Sequence, residues 1–185
     1  MRQIRNGVFE TNSSSMHSLV IKKNSEYYTY EEMVDDLWLH KGVWEIWNSD
    51  RITFGRSPFD CLNTFESKVR YAIASLCGWR RNADEKFKEI EQLVTEIVPE
   101  CIEIKLPTSW YYDDDDEDKD ERRVSYGSVD EDILTPFLEN TGITLKEFLT
   151  NKKYVVIVDG DEYCIWNSLK DSGLVNTDEI EKEYK

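Results

Sequence analysis

Apolar and polar residues alternate in several short segments of the chain, as they do in strands that are covered on one face. Residues 17–22 read His-Ser-Leu-Val-Ile-Lys, and the alternation places Leu19 and Ile21 together on one face. Residues 154–158 are continuously apolar, which is typical of a strand buried on both faces in the middle of a sheet. Shorter strands are predicted at residues 7–9 and 101–105.

Other segments carry their apolar residues at helical spacing. Thr29 stands three residues before Glu32, which is the pattern of a capping box and predicts a helix that begins there. In residues 64–76 and 83–98 the apolar positions recur every three or four residues, so both segments are predicted helices. Further helices are predicted at residues 130–140, from residue 144, and at residues 163–172.

The remaining segments yield three more predictions. Residues 43–47 and 51–54 are strand-like and flank Asn-Ser-Asp at residues 48–50, which predicts a β-hairpin. Residues 106–123 contain a long acidic run and are predicted to form a loop. The charged tail at residues 177–185 is interpreted as a frayed helix.

Taken together, the elements predict an α+β fold. Strands and helices do not alternate strictly, and the glycine fingerprint of a dinucleotide-binding fold is missing from the sequence, which disfavours a doubly wound parallel sheet. We expect a mixed, largely antiparallel sheet with helices packed on it, formed by a single domain over residues 1–185.

Charge is the most unusual property of the composition. The net charge is −15, and residues 113–121 hold eight acidic residues and one lysine, which is −7 of that total. The first 23 residues are mildly basic. Phosphate contacts need clustered lysine and arginine, so the balance disfavours a protein that binds nucleic acid directly.

The spacing of the cysteines and the length of the apolar runs indicate the cellular compartment in which we expect the protein. The four cysteines lie at least 16 residues apart without a CxxC pair, which disfavours disulfides and structural zinc. The sequence has no apolar run near the ~20 residues that a membrane span needs. Its N-terminus lacks the apolar region of a secretory signal. We therefore expect a cytoplasmic protein without metal or cofactor, and its oligomeric state stays open.

The acidic run is the first candidate site. A solvated loop would explain it, but carboxylates along a protruding loop can also occupy a cationic groove that otherwise holds DNA, with neighbouring tyrosines stacking as bases do. On that interpretation the binding residues for a host protein are Tyr111, Tyr112, Asp113, Asp114, Asp115, Asp116, Glu117 and Asp118.

The second candidate site is a serine-rich turn near the N-terminus. Small hydroxyl side chains and exposed backbone N–H groups in a turn can hold phosphate or carboxylate, and a serine beside a histidine can act as a nucleophile with its base. The alternative is a turn that satisfies its own backbone. The residues concerned are Asn12, Ser13, Ser14, Ser15, His17 and Ser18.

Two weaker signals remain in the sequence. Asp159, Asp161 and Glu162 follow the apolar strand, where carboxylates can bind Mg²⁺, although Asp-Gly at residues 159–160 is also a common turn. Tryptophan is expected to be mostly in the core, with Trp110 beside the acidic run as the candidate for exposure. The remaining tryptophans are Trp38, Trp44, Trp47, Trp79 and Trp166.

Residues 7–19, Gly-Val-Phe-Glu-Thr-Asn-Ser-Ser-Ser-Met-His-Ser-Leu, resemble the N-terminal signature of a family found in phages and mobile elements of Gram-positive bacteria. The C-terminal stretch at residues 142–163 is also similar to this family, through residues 142–145 and 154–163, and the two matches span about a fifth of the chain. Part of the family is associated with inhibitors of type II CRISPR RNA-guided DNA nucleases.

The resemblance implies a phage-type inhibitor that binds a host nuclease, and such nucleases hold DNA in positively charged channels. Relatives carry a histidine-containing stretch where this chain reads Tyr-Gly-Ser-Val-Asp at residues 126–130, so an activity that needs this histidine would be missing here. The alternative hypothesis is a small enzyme or ligand-binding protein with an anion or nucleotide site at residues 12–18.

Overall fold

The computed structural model describes residues 8–10, 16–22, 26–55, 60–78, 80–111, 121–130 and 132–159. The strands within them are β1 (Val8–Glu10), β2 (Met16–Ile21), β3 (Val43–Glu45), β4 (Thr53–Phe54), β5 (Asp60–Leu62), β6 (Glu103–Lys105), β7 (Thr108–Tyr111), β8 (Glu121–Val124), β9 (Ser128–Val129) and β10 (Tyr154–Asp159). The helices are α1 (Tyr30–Leu37), α2 (Phe65–Cys77), α3 (Ala83–Ile97), α4 (Leu134–Thr141) and α5 (Leu145–Thr150).

A four-stranded antiparallel sheet in the order β1-β2-β10-β5 organises these elements. Val156 of β10 is paired with Leu19 on one side and Leu62 on the other, and all three side chains are fully buried. Val155, which points to the opposite face, is buried as well. The continuous apolar strand therefore lies inside the sheet, which confirms the sequence prediction and the α+β fold class.

Helix α2 packs at the centre of the core. It contacts α1, α3, α4, α5 and β5, and residues on every side of it are buried. It begins with a capping box, in which the Thr64 and Ser67 side chains each accept from the other residue's backbone N–H. The predicted helix over residues 83–98 is also confirmed as α3, which buries Ile90, Val94 and Ile97.

The predicted hairpin of residues 43–47 and 51–54 is wrong. Strand β3 pairs in parallel with β6, and β4 pairs in parallel with β9. A 3₁₀ turn at Ser49–Ile52 separates β3 from β4, and Arg51 N donates to the carbonyl of Asn48. A three-residue hairpin loop closes through a left-handed residue, whereas residues 49–52 continue as a right-handed 3₁₀ turn that does not bring the two strands together.

The loop predicted at residues 106–123 is also partly wrong, because β7 and β8 pair antiparallel on either side of the acidic run. Helix α4 begins later than the predicted start at residue 130. The carboxylate of Asp132 accepts from Leu134 N and Thr135 N, so the helix begins only at Leu134. The helix predicted at residues 163–172 and the tail at 177–185 lie outside the described residues.

Candidate interaction surface

His17, from the serine-rich candidate site, belongs to the interior. Its side chain is fully buried, and Nδ1 lies 3.1 Å from the hydroxyl oxygen of Tyr71 on α2. The imidazole and phenol rings are tilted against each other with centroids 5.8 Å apart. His17 thus joins β2 to α2. The serines next to it in the sequence gave no indication of this structural role.

Ser18, the neighbour of His17, is half-buried and lies at the next position of β2. Because successive strand residues point to opposite faces, its hydroxyl and the imidazole of His17 do not face the same space. Asn12, Ser13, Ser14 and Ser15 lie outside the described residues. The anion site therefore stays a prediction, with its histidine directed into the core.

The acidic run connects two paired strands. Tyr111, the last residue of β7, is the backbone partner of Glu121, the first residue of β8. Tyr112 and the carboxylates of Asp113, Asp114, Asp115, Asp116, Glu117 and Asp118 belong to the connection, residues 112–120, and lie outside the described residues. The connection itself carries seven acidic residues and one lysine, a charge of −6. Because the two ends of this nine-residue connection are adjacent, its covalent length limits its reach from them to at most about 17 Å.

Carboxylates do not assemble into a metal centre in the described part of the chain, where no group of three or more His, Cys, Asp or Glu side chains could hold an ion. Asp159 ends β10, whereas Asp161 and Glu162 lie outside that part, so the magnesium hypothesis stays untested. The cysteine thiols of Cys77 and Cys101 are buried, and burial raises their pKa to about 12 and about 11. Both thiols are therefore protonated and unreactive at neutral pH.

Asp132 is the most heavily bonded carboxylate described. Besides the backbone N–H groups of Leu134 and Thr135, it accepts from the hydroxyls of Ser75 and Thr135 at 2.6 Å each. Arg80 donates to it at 2.6 Å as well. A carboxylate has about four lone-pair directions, so these donors saturate it. Asp132 therefore ties the end of α2 to the start of α4 and has no capacity left to act as a base.

Lys68 on α2 is a polar site that the sequence prediction missed. Its side chain is fully buried, and Nζ donates to the carbonyl oxygens of Asn151 at 2.7 Å and Phe148 at 3.1 Å, at the C-terminal end of α5. The rings of Tyr28 and Phe148 lie 5.0 and 5.6 Å from Nζ. Lys68 thus satisfies carbonyls that a helix end leaves without intrahelical partners.

The surroundings of Lys68 disfavour its charged form. Burial, followed by the nearby charge of Lys22, lowers the pKa of its amine to about 7, and Glu147 opposes the shift. A neutral amine is a nucleophile, but this one is enclosed and bound to two carbonyls. The geometry supports a structural role at the end of α5. Helical spacing offered a signal, because residue 68 lies three positions after Phe65 and four before Ala72, both fully buried.

Two tryptophans that were expected in the core lie on the surface. Trp38 is 90% exposed and Trp47 is 79% exposed, whereas Trp44 is buried in the core. Trp38 and Trp47 line a groove of about 680 Å³ together with Val34, Asp35, Leu39 and His40. We call this set of six residues the tryptophan groove. Strand alternation gave a signal for Trp47, since Trp44 and Ile46 point inward and Trp47 takes the next outward position.

Comparisons with known proteins identify no relative of this chain. No family model, curated protein or solved structure matches the chain. Among the described helices, none is both long and apolar enough to cross a membrane.

Proposed function

We propose that this protein is an inhibitor that binds a nucleic-acid-binding host protein, and that residues 112–120 carry the binding. The observation that supports this is the pairing of β7 with β8, because it joins the two ends of a nine-residue segment that carries a charge of −6. The N-terminal resemblance favours an RNA-guided DNA nuclease of type II as the partner class.

The charge density is of the right order for a substitute of DNA. A duplex carries one negative charge for about every 1.7 Å of its axis, or about ten over 17 Å. The acidic connection places −6 within about the same reach. A positively charged channel that holds DNA would therefore attract it strongly, and an occupied channel cannot admit the target strand.

Replacing Asp113, Asp114, Asp115 and Asp116 with Asn is expected to weaken binding to a purified nuclease–guide complex about tenfold at 0.15 M salt. The loss should lie mainly in the association rate, because exposed charges act through a field that is screened within about 8 Å. For the wild type, raising the salt to 0.5 M should reduce the association rate in the same way. Biolayer interferometry measures both rates.

A matched variant loses four charges elsewhere. Glu26, Glu85, Glu103 and Glu139 are exposed residues outside the acidic connection, and their replacement by Gln changes the net charge by the same amount. This control should bind nearly as well as the wild type. Equal losses in the two variants would mean that only the net charge matters. Undiminished binding by the folded Asn variant would remove the acidic connection from the interface.

A further inference from the structure

The exposure of Trp38 is not explained by folding. Its backbone is left-handed, with φ 47° and ψ 54°, at the C-cap position that directly follows α1. Glycine or asparagine usually occupies such a position, because a Cβ atom makes the left-handed conformation costly. An indole that is 90% exposed recovers little of this cost through burial. The fold therefore holds a large aromatic side chain in solvent at a net loss of stability, which is typical of a binding residue.

The second exposed indole borders the same space. Trp47 and Trp38 both line the tryptophan groove, and Val34 and Leu39 add apolar side chains to its lining. Exposed aromatic residues that share one groove are a common feature of protein-binding surfaces.

The groove lies in acidic surroundings. Asp35 lines it and is exposed. A second depression that both indoles line also holds Asp36, Glu45, Glu66 and Arg51. Three of these carboxylates already have donors. Asp36 accepts from Phe65 N at 2.9 Å, Glu66 pairs with Arg70 at 2.8 Å, and Glu45 pairs with Lys105. Asp35 is thus the carboxylate that a cation bound in the groove would meet.

We propose that the tryptophan groove binds an arginine side chain on an exposed segment of the partner protein, with the guanidinium stacked on an indole face and paired with Asp35. Indole is the strongest aromatic acceptor for a cation. Arginine suits the site better than lysine, because its planar guanidinium stacks on rings and presents two N–H groups to one carboxylate. The identity of the partner rests on the proposed function, since nucleic-acid-binding proteins are rich in surface arginine. The preference of the groove for arginine is independent of that function.

The test is an NMR titration of the full ¹⁵N-labelled chain with the peptide acetyl-Gly-Arg-Gly-Arg-Gly-amide, followed at the indole N–H signals of Trp38 and Trp47. Both signals should shift and saturate. The same peptide with citrulline in place of arginine keeps the shape without the charge, and its affinity should be about two- to fivefold lower. Equal affinities for the two peptides would overturn the proposal.

Trp38→Asn removes the indole with a residue that tolerates the left-handed backbone. The peptide should bind this variant about two- to fivefold more weakly, while the melting temperature stays the same or rises by roughly 4 °C. Lys41→Asn is the matched control, because Lys41 is also exposed and left-handed, with φ 52°, and both indoles remain. Loss of affinity in Lys41→Asn but not in Trp38→Asn would contradict the assignment.

Other occupants give different results. Self-association in sedimentation runs that Trp38→Asn abolishes, without any response to the arginine peptide, would assign the groove to a second copy of the chain. Larger indole shifts with a single-stranded oligonucleotide than with the peptide would assign it to nucleic acid. Either result overturns the proposal.

The proposal for the tryptophan groove and the proposal for the acidic connection can be contradicted independently. The quadruple Asn variant of residues 113–116 should keep its indole shifts with the arginine peptide, because the groove residues are intact. A protein that binds the peptide but no nuclease would contradict the proposed function alone. A protein that binds the nuclease while its groove ignores the peptide would contradict this inference alone.

Discussion

The free energy of unfolding is expected to rise by about 2 kcal/mol between pH 7 and pH 9, with Lys68 as the cause. The pKa of this amine is lowered from 10.5 to about 7 in the folded protein, chiefly by burial. Between those values the unfolded chain holds a proton that the folded chain has lost. Stability therefore increases with pH across this window, and the cost of burying a charged amine is fully present only below about pH 7.

Lys68→Met tests this prediction, because methionine has a similar length and no charge. Urea denaturation at pH 7, 8 and 9 should show a level or slightly falling profile for the variant and a rising one for the wild type. The window ends at pH 9 because burial raises the pKa of Cys77 and Cys101 from 9.0, so their ionisation in the unfolded chain lowers stability above that value. A rise of the same size in both proteins would remove Lys68 as the cause.

Gly127→Ala is expected to destabilise the protein by more than about 3 kcal/mol. Gly127 has a left-handed backbone with φ 72°, and a Cβ atom there would lie 1.8 Å from the carbonyl oxygen of Ile52. That contact is with backbone, so β9 would have to move away from β4. The close approach explains why glycine precedes Ser128 at this point of the chain.

Gly142→Ala is the matched control for Gly127→Ala. Gly142 also has a left-handed backbone, with φ 68°, but a Cβ atom added there would meet no other atom within 4 Å. Its substitution should cost only the backbone preference, about 1 kcal/mol. Urea melts of both variants separate the steric cost from the conformational one. Similar losses would mean that the contact with Ile52 relaxes without cost.

The features that were predictable from the sequence depend on residues that are close to one another along the chain. Thr29 and Glu32 form both bonds of the capping box, at 3.2 and 2.8 Å, because the two residues are one helical turn apart. Thr144 accepts from Glu147 N at 3.1 Å in the same way. The apolar run of β10 indicates its central place, since only a strand covered on both faces is uniformly apolar.

The pairing of β3 with β6 and of β4 with β9 was not predictable in this way. Each pair joins residues more than 50 positions apart, as Val43 with Glu103 and Thr53 with Ser128. Local turn residues therefore carried no information about these partners, and the Asn-Ser-Asp sequence at residues 48–50 favoured a hairpin by composition alone.

The candidate sites also differ in whether they depend on residues that are close together in the sequence. A run of acidic residues is visible in any sequence, whereas the exposure of Trp38 follows from a left-handed residue at the end of α1 that the composition does not reveal. Lys68 was missed because the carbonyls of Phe148 and Asn151 that it binds lie at least 80 residues further along the chain.

The most direct test of the proposed function is cleavage of a target DNA by type II RNA-guided nucleases in the presence of this protein. The wild type should block cleavage by at least one nuclease of a panel, and the Asn variant of Asp113, Asp114, Asp115 and Asp116 should block it about tenfold less well at 0.15 M salt. Thermal melts confirm that both proteins are folded. Cleavage that proceeds at full rate with every nuclease and saturating wild-type protein would contradict the inhibitor proposal.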